Sequence, residues 1–123
     1  MADEYKVLVC DDSILARKRL KNLLASSGVE AVFEAADGQE AIDKYKEHRP
    51  NAVFMDIVMP VKDGIQAVTE IMEFDKDANI IMVSSVGTQE YLKHAIKAGA
   101  SDFLQKPIED DKFADFMLRL TGR

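Results

Sequence analysis

Five short apolar runs alternate with amphipathic stretches from end to end of the chain. The runs are Val7-Leu8-Val9-Cys10, Ala31-Val32-Phe33, Ala52-Val53-Phe54-Met55, Ile80-Ile81-Met82-Val83 and Phe103-Leu104. Runs this short, rich in β-branched residues and lacking a polar alternate, predict strands buried on both faces, as a parallel sheet requires. Between them apolar positions recur at helical spacing. The stripes are Ala16, Leu20, Leu23 and Leu24; Ala41, Ile42 and Tyr45; Ile65, Val68, Ile71 and Met72; Tyr91, Leu92, Ala95 and Ile96; and Phe113, Phe116, Met117 and Leu120. Gly28 and Gly99 fall just past helical stripes, where a C-cap needs positive φ. Asp37-Gly38 and Asp63-Gly64 read as turns ahead of helices, and Pro50 and Pro60 fall between elements. Five strand-then-helix units follow, with short connections, no low-complexity segment and no repeat beyond the alternation itself. The pattern predicts one α/β domain over residues 1–123, ending almost as soon as its fifth helix does.

Strands of a parallel sheet point the same way, so their C-terminal ends share one edge, and ligands bind outside that edge. The residues that follow the apolar runs are therefore the candidate chemistry. They are Asp11 and Asp12 after the first run, Asp56 after the third, Ser84 and Ser85 after the fourth, and Gln105-Lys106-Pro107 after the fifth. Two carboxylates about 5 Å apart repel by roughly 3 kcal/mol at an effective dielectric of 20. Three of them need more than one lysine for balance. Carboxylate oxygens with a backbone carbonyl and water suit Mg²⁺, a hard ion that accepts a phosphate as co-ligand. An ionised aspartate beside such an ion can attack phosphorus, with Lys106 and a serine hydroxyl holding the phosphoryl oxygens. The set reads as a Mg²⁺-dependent phosphoacceptor site.

Four segments in order now carry a family resemblance: Val9-Cys10-Asp11-Asp12-Ser13, Met55-Asp56-Ile57-Val58-Met59-Pro60 with Asp63-Gly64, Met82-Val83-Ser84-Ser85, and Gly99-Ala100-Ser101-Asp102-Phe103-Leu104-Gln105-Lys106-Pro107. From Lys6 to about Leu120 the chain resembles the receiver domain of two-component response regulators, particularly the stand-alone chemotaxis type. The resemblance implies a three-layer α/β/α fold around a five-stranded, doubly wound parallel sheet. Its flavodoxin-like order, 2-1-3-4-5, comes with the resemblance and not from the residues. It implies phosphorylation on Asp56, Mg²⁺ held by Asp12 directly, by Asp11 largely through water, by Asp56 and by the main-chain carbonyl of Val58. Ser84 takes the place of the switch hydroxyl, Lys106 that of the phosphate-binding lysine before a cis Pro107, and Phe103 that of the switch aromatic. Val58 and Val86 occupy the family's variable positions beside the site. Both are apolar where a polar group helps place attacking water, which predicts slow loss of the phosphoryl group.

The implied function is a signalling switch, not an enzyme with an external substrate. A sensor histidine kinase donates the phosphoryl group. The surface of the fourth helix, fifth strand and fifth helix then changes to bind a target protein, for which the flagellar motor switch is the candidate, with a phosphatase as a further partner. A monomer is expected. The chief alternative is a receiver cut from a larger regulator with a methylesterase or DNA-binding output. A flavodoxin-like cofactor binder would need a Ser/Thr/Gly-rich phosphate loop where Asp11-Asp12 stands. A haloacid-dehalogenase-type phosphatase would need an aspartate at the position of Val58.

Composition narrows the field further. With 22 acidic and 16 basic residues the 123-residue chain carries a net charge of −6, which argues against direct nucleic-acid binding through clustered Lys and Arg. No apolar run approaches membrane-spanning length. Asp3 and Glu4 stand where a secretory leader would be basic and then apolar. Cys10, the single cysteine, excludes an internal disulfide and reads as a small buried hydrophobe. These features predict a cytoplasmic protein. His48 and His94 lack partners at metal-ligand spacing, and the methionines read as core filler, with any exposed ones near the last helix available to a partner.

Overall fold

The computed structural model describes residues 4–85 and 90–122. The elements alternate strictly: β1 (Lys6–Cys10), α1 (Ile14–Ser26), β2 (Ala31–Ala35), α2 (Gly38–His48), β3 (Ala52–Asp56), α3 (Gly64–Phe74), β4 (Ile80–Ser84), α4 (Leu92–Ala98), β5 (Asp102–Gln105) and α5 (Asp110–Thr121). All strand pairs are parallel, in the order β2-β1-β3-β4-β5. The implied three-layer fold is therefore the observed one.

Successive residues of a strand point to opposite faces, and the core divides accordingly. Val7, Val9, Phe54, Ile81 and Val83 pack with Leu20, Leu24, Phe113 and Phe116, which puts α1 and α5 on one face. Leu8, Cys10, Val53, Met55, Ile80 and Met82 pack with Ile42, Tyr45, Val68, Ile71 and Ala95, which puts α2, α3 and α4 on the other. Polar caps start three helices: Ser13, Asp37 and Asp63 accept hydrogen bonds from the backbone N–H groups of Ala16, Glu40 and Gln66, satisfying donors that a helix cannot satisfy itself. Gly28 and Gly99 have φ of +87° and +123°, as their places past helical stripes predict.

Burial on both faces holds for β1, β3 and β4 but not for the edge strands. β2 is half-buried along most of its length and β5 is largely exposed. Half of the fourth helical stripe also faces solvent, since Tyr91 and Ile96 are exposed. Met117 on the last helix is buried, so it offers no partner face. His48 is half-buried at its helix end and stacks on Phe33 with ring centroids 3.8 Å apart.

Candidate functional site

Strand register assembles the site. Cys10 pairs with Met55, so Asp11 lies beside Asp56 one residue further on. Asp56 pairs with Val83 and Ser84 with Gln105, so Ser84 and Lys106 continue the same edge. Asp56 and Ser84 are themselves the last residues of their strands. The edge thus collects Asp11, Asp12, Asp56, Ser84 and Lys106 from four strands that are remote in sequence.

One carboxylate oxygen from each of Asp11, Asp12 and Asp56 lies within 4.8 Å of the other two. Asp11 is 2% exposed and is held by Ser13 N–H at 2.9 Å and by Lys106 Nζ at 2.7 Å. The same ammonium lies 3.8 Å from Asp56 Oδ1. Asp56 Oδ1 also accepts from the N–H of Ile57 at 2.9 Å. Burial and the charge of Asp11 push the Asp56 carboxyl up to about 6, against the opposing pull of Lys106. Asp12 is exposed and open to solvent.

Lys106 alone does not balance this corner. Clustered carboxylates with one lysine, an exposed Asp12 and an Asp56 reluctant to ionise are the donor set of a hard, oxygen-loving cation, and Mg²⁺ fits it. Receiver domains bind Mg²⁺ at such an acidic pocket. Ser84 adds a second sign of an incomplete site. Its Oγ is fully buried and has no hydrogen-bond partner among the described residues, a costly arrangement unless something else supplies one.

Backbone packing fixes Asp56. A Cβ on Gly64 would stand 2.0 Å from the carbonyl oxygen of Asp56, and Gly64 N–H donates to the Ile57 carbonyl at 2.7 Å. Glycine is required there by close approach. Val58 lies on the intervening loop with its side chain exposed, as do Pro60 and Val61, while Ile14 and Leu15 expose two more apolar side chains on the first turn of α1. An apolar groove of about 610 Å³ between Ala16, Leu20 and the Lys106–Ile108 turn flanks the site. The Lys106–Pro107 peptide is cis, as the resemblance implies. Phe103 on β5 is 47% exposed, so its ring lies outward. Val86 lies outside the described residues.

The sequence reading missed Arg17. Its Nη1 donates to the Asp11 carbonyl at 2.7 Å and its Nε to Glu34 at 3.0 Å. The available signal was Arg17 and Lys21, four apart on one helix, needing an acidic neighbour; both meet Glu34. Cys10 beside the site is inert, since burial and nearby carboxylates raise its thiol pKa far above neutrality.

A chain that sets a buried aspartate among two others and a lysine at the edge of a 2-1-3-4-5 sheet has the site and topology of a phosphoacceptor domain. The family model of the response regulator receiver domain matches residues 7–117, and the chain belongs to that family. It is 45% identical over 108 residues to the chemotaxis protein CheY of Bacillus subtilis (strain 168), covering 88% of this chain and 90% of that one. It is 41% identical to the CheY of Thermotoga maritima, covering 94% and 97% of the two chains. Among solved structures, the CheX-CheY-BeF3-Mg complex from Borrelia burgdorferi contains a chain that matches with a TM-score of 0.87 and 38% identity, covering 95% of this chain and 89% of that one. Receiver domains of this type are signalling proteins and not conventional enzymes, and they act as phosphorylation-dependent switches in two-component systems.

Proposed function

We propose that residues 1–123 form a receiver that serves chemotaxis, with Asp56 as its phosphorylation site. The observation that carries this reading is the juxtaposition of Asp56 with Asp11, Asp12 and Lys106 at one strand edge. A phosphohistidine on a sensor histidine kinase is the donor. An Asp56 carboxylate oxygen attacks phosphorus, the phosphorus–nitrogen bond breaks, and the departing imidazole keeps the electron pair and takes up a proton. Asp11, Asp12, Asp56 and the Val58 carbonyl would hold Mg²⁺, whose charge offsets that of the carboxylates and the incoming phosphoryl oxygens. Lys106 neutralises a further phosphoryl oxygen, and the Ser84 hydroxyl, unpartnered among the described residues, donates to another.

Ser84 moving toward the phosphoryl group leaves room for the Phe103 ring to turn inward, which reshapes the face of α4, β5 and α5. Being Phe, this ring reports burial without a hydroxyl hydrogen bond. That face carries Ile96 and Phe103 exposed beside Lys93 and Lys97 around a groove of about 540 Å³, with Tyr91 also exposed. It is the docking face for the target, the flagellar motor switch in this reading. The CheX complex of the Borrelia relative supports a second protein partner, read as a phosphatase. The switch is read as cytoplasmic and monomeric. No described helix is long and apolar enough to cross a membrane.

Mass spectrometry after incubation with acetyl phosphate and Mg²⁺ tests the assignment. The expected result is a gain of one phosphoryl group that disappears without the metal and in Asp56→Asn. No gain in the unaltered protein would leave a receiver that binds its partners constitutively.

A further inference from the structure

The charged contacts of α1 lead back to the acidic corner. Arg17 is mostly buried, with 15% of its side chain exposed. Its two donors point to different elements: Nη1 to the main-chain carbonyl of Asp11 at 2.7 Å, and Nε to Oε1 of Glu34 on β2 at 3.0 Å. Glu34 is itself secured, since its other oxygen accepts from Lys21 at 3.1 Å and its carbonyl accepts from Lys44. On the other side, Asp11 N–H donates to the Ala35 carbonyl at 3.0 Å.

The carbonyl that Arg17 holds belongs to the peptide unit joining Asp11 to Asp12. That unit is planar, so holding its oxygen, while Ala35 holds the Asp11 N–H of the preceding unit, restricts how the plane turns and the direction in which Asp12 leaves it. We propose that Arg17 is a positioning residue for the divalent-cation site, a guanidinium anchored by Glu34 that sets the Asp11–Asp12 peptide and thereby the placing of both carboxylates. The inference rests on reading Asp11 and Asp12 as Mg²⁺ ligands. Two chemical facts give it consequences. Mg²⁺ demands near-ideal octahedral geometry, so a small turn of this peptide costs affinity. Only a guanidinium offers two donors in a rigid fork, whereas a lysine is a point charge that serves one acceptor at a time. Arg19, two residues along, makes an instructive control: it donates to the Ile108 carbonyl at 2.8 Å and to Asp110, at the opposite strand-end turn.

Calorimetric titration of the full chain with Mg²⁺ alone tests the proposal, alongside initial rates of phosphorylation by acetyl phosphate at limiting and saturating Mg²⁺. Arg17→Met should bind Mg²⁺ about tenfold more weakly, the lower end of what loss of a supporting residue costs a metal site. Arg17→Lys should recover only part of that loss, and Arg19→Met should stay within about twofold of the unaltered chain. Saturating Mg²⁺ should restore the Arg17→Met rate to within about threefold, since the acceptor itself is intact. Unchanged affinity in Arg17→Met, an equal loss in Arg19→Met, or a rate that saturation does not restore would overturn the proposal. If Arg17→Met fails to fold, Glu34→Gln decides, with about threefold weaker Mg²⁺ binding expected and unchanged binding overturning it. An unaltered chain that binds no Mg²⁺ refutes the phosphoacceptor reading instead, and the positioning role with it.

Discussion

The acidic corner and the face formed by α4 and β5 belong to one small domain and are built in opposite ways. At the corner, close packing and hydrogen bonds hold chemistry in place: Gly64 lies against the Asp56 carbonyl, Ala35 holds the Asp11 N–H and Arg17 its carbonyl, and Lys106 bridges Asp11 toward Asp56. On the α4–β5 face, large apolar side chains stand in solvent on an edge strand and a helix of seven residues. The corner accumulates charge that the fold only partly neutralises, whereas the face leaves apolar area unburied. Phosphoryl transfer needs atoms fixed to a fraction of an ångström. Recognition needs area that is free to be covered. Each region is locally unfavourable in the way its proposed task requires.

Substitutions at the two regions should therefore separate fold stability from function. Gly64→Ala has the largest expected effect. Its methyl would overlap the Asp56 carbonyl oxygen, and the backbone shift should cost about 3 kcal/mol in urea denaturation and also abolish phosphorylation. A cost below about 1 kcal/mol would show that this loop is more pliant than its packing implies. Val58→Asn combined with Val86→Glu should leave the fold intact and speed loss of the phosphoryl group about tenfold, by adding polar groups that place water. Dephosphorylation timed at an unchanged rate would remove the explanation offered for a long-lived phosphoryl group. Smallest in stability is Ile96→Ser on the exposed face, expected within about 0.5 kcal/mol of the unaltered chain while weakening capture of the target. Equal capture by both proteins would move the docking face elsewhere.

Much of this was legible in the sequence, for identifiable reasons. Buried parallel strands write themselves as unbroken apolar runs, so the carboxylates that end Val7–Cys10 and Ala52–Met55 stand out from the residue pattern alone. The same logic failed at Phe103-Leu104, because an edge strand can be apolar in composition and still face solvent. Gly64 was legible as a turn residue but not as the contact beneath Asp56, since close approach depends on two segments folding together. Ser84 could be named from its place in the family pattern, yet its lack of a partner among the described residues is a property of the packed interior. Arg17 left only the spacing of Arg17 and Lys21 as a signal, for the same reason: its acceptors, Glu34 and the Asp11 carbonyl, come from different elements.

The central claim is that the corner stores electrostatic strain that a bound cation relieves. Asp56 shows it most directly. Its carboxyl rises from 3.8 to about 6 on folding, through burial and then Asp11, so the folded chain holds that proton more tightly than the unfolded one. The associated stability is fully present below about pH 4 and is lost as pH rises through about 6, amounting to about 2 kcal/mol once solvent screening of this half-buried group is allowed for. Asn at this position carries no such charge. The decisive measurement is chemical denaturation of the unaltered chain and Asp56→Asn between pH 5 and pH 8, without and with Mg²⁺. The account predicts that Asp56→Asn is the more stable protein at pH 8 by about 2 kcal/mol, that its advantage shrinks toward pH 5, and that Mg²⁺ narrows the gap by stabilising the unaltered chain. Equal stabilities at pH 8, or a gap that Mg²⁺ leaves untouched, would contradict it.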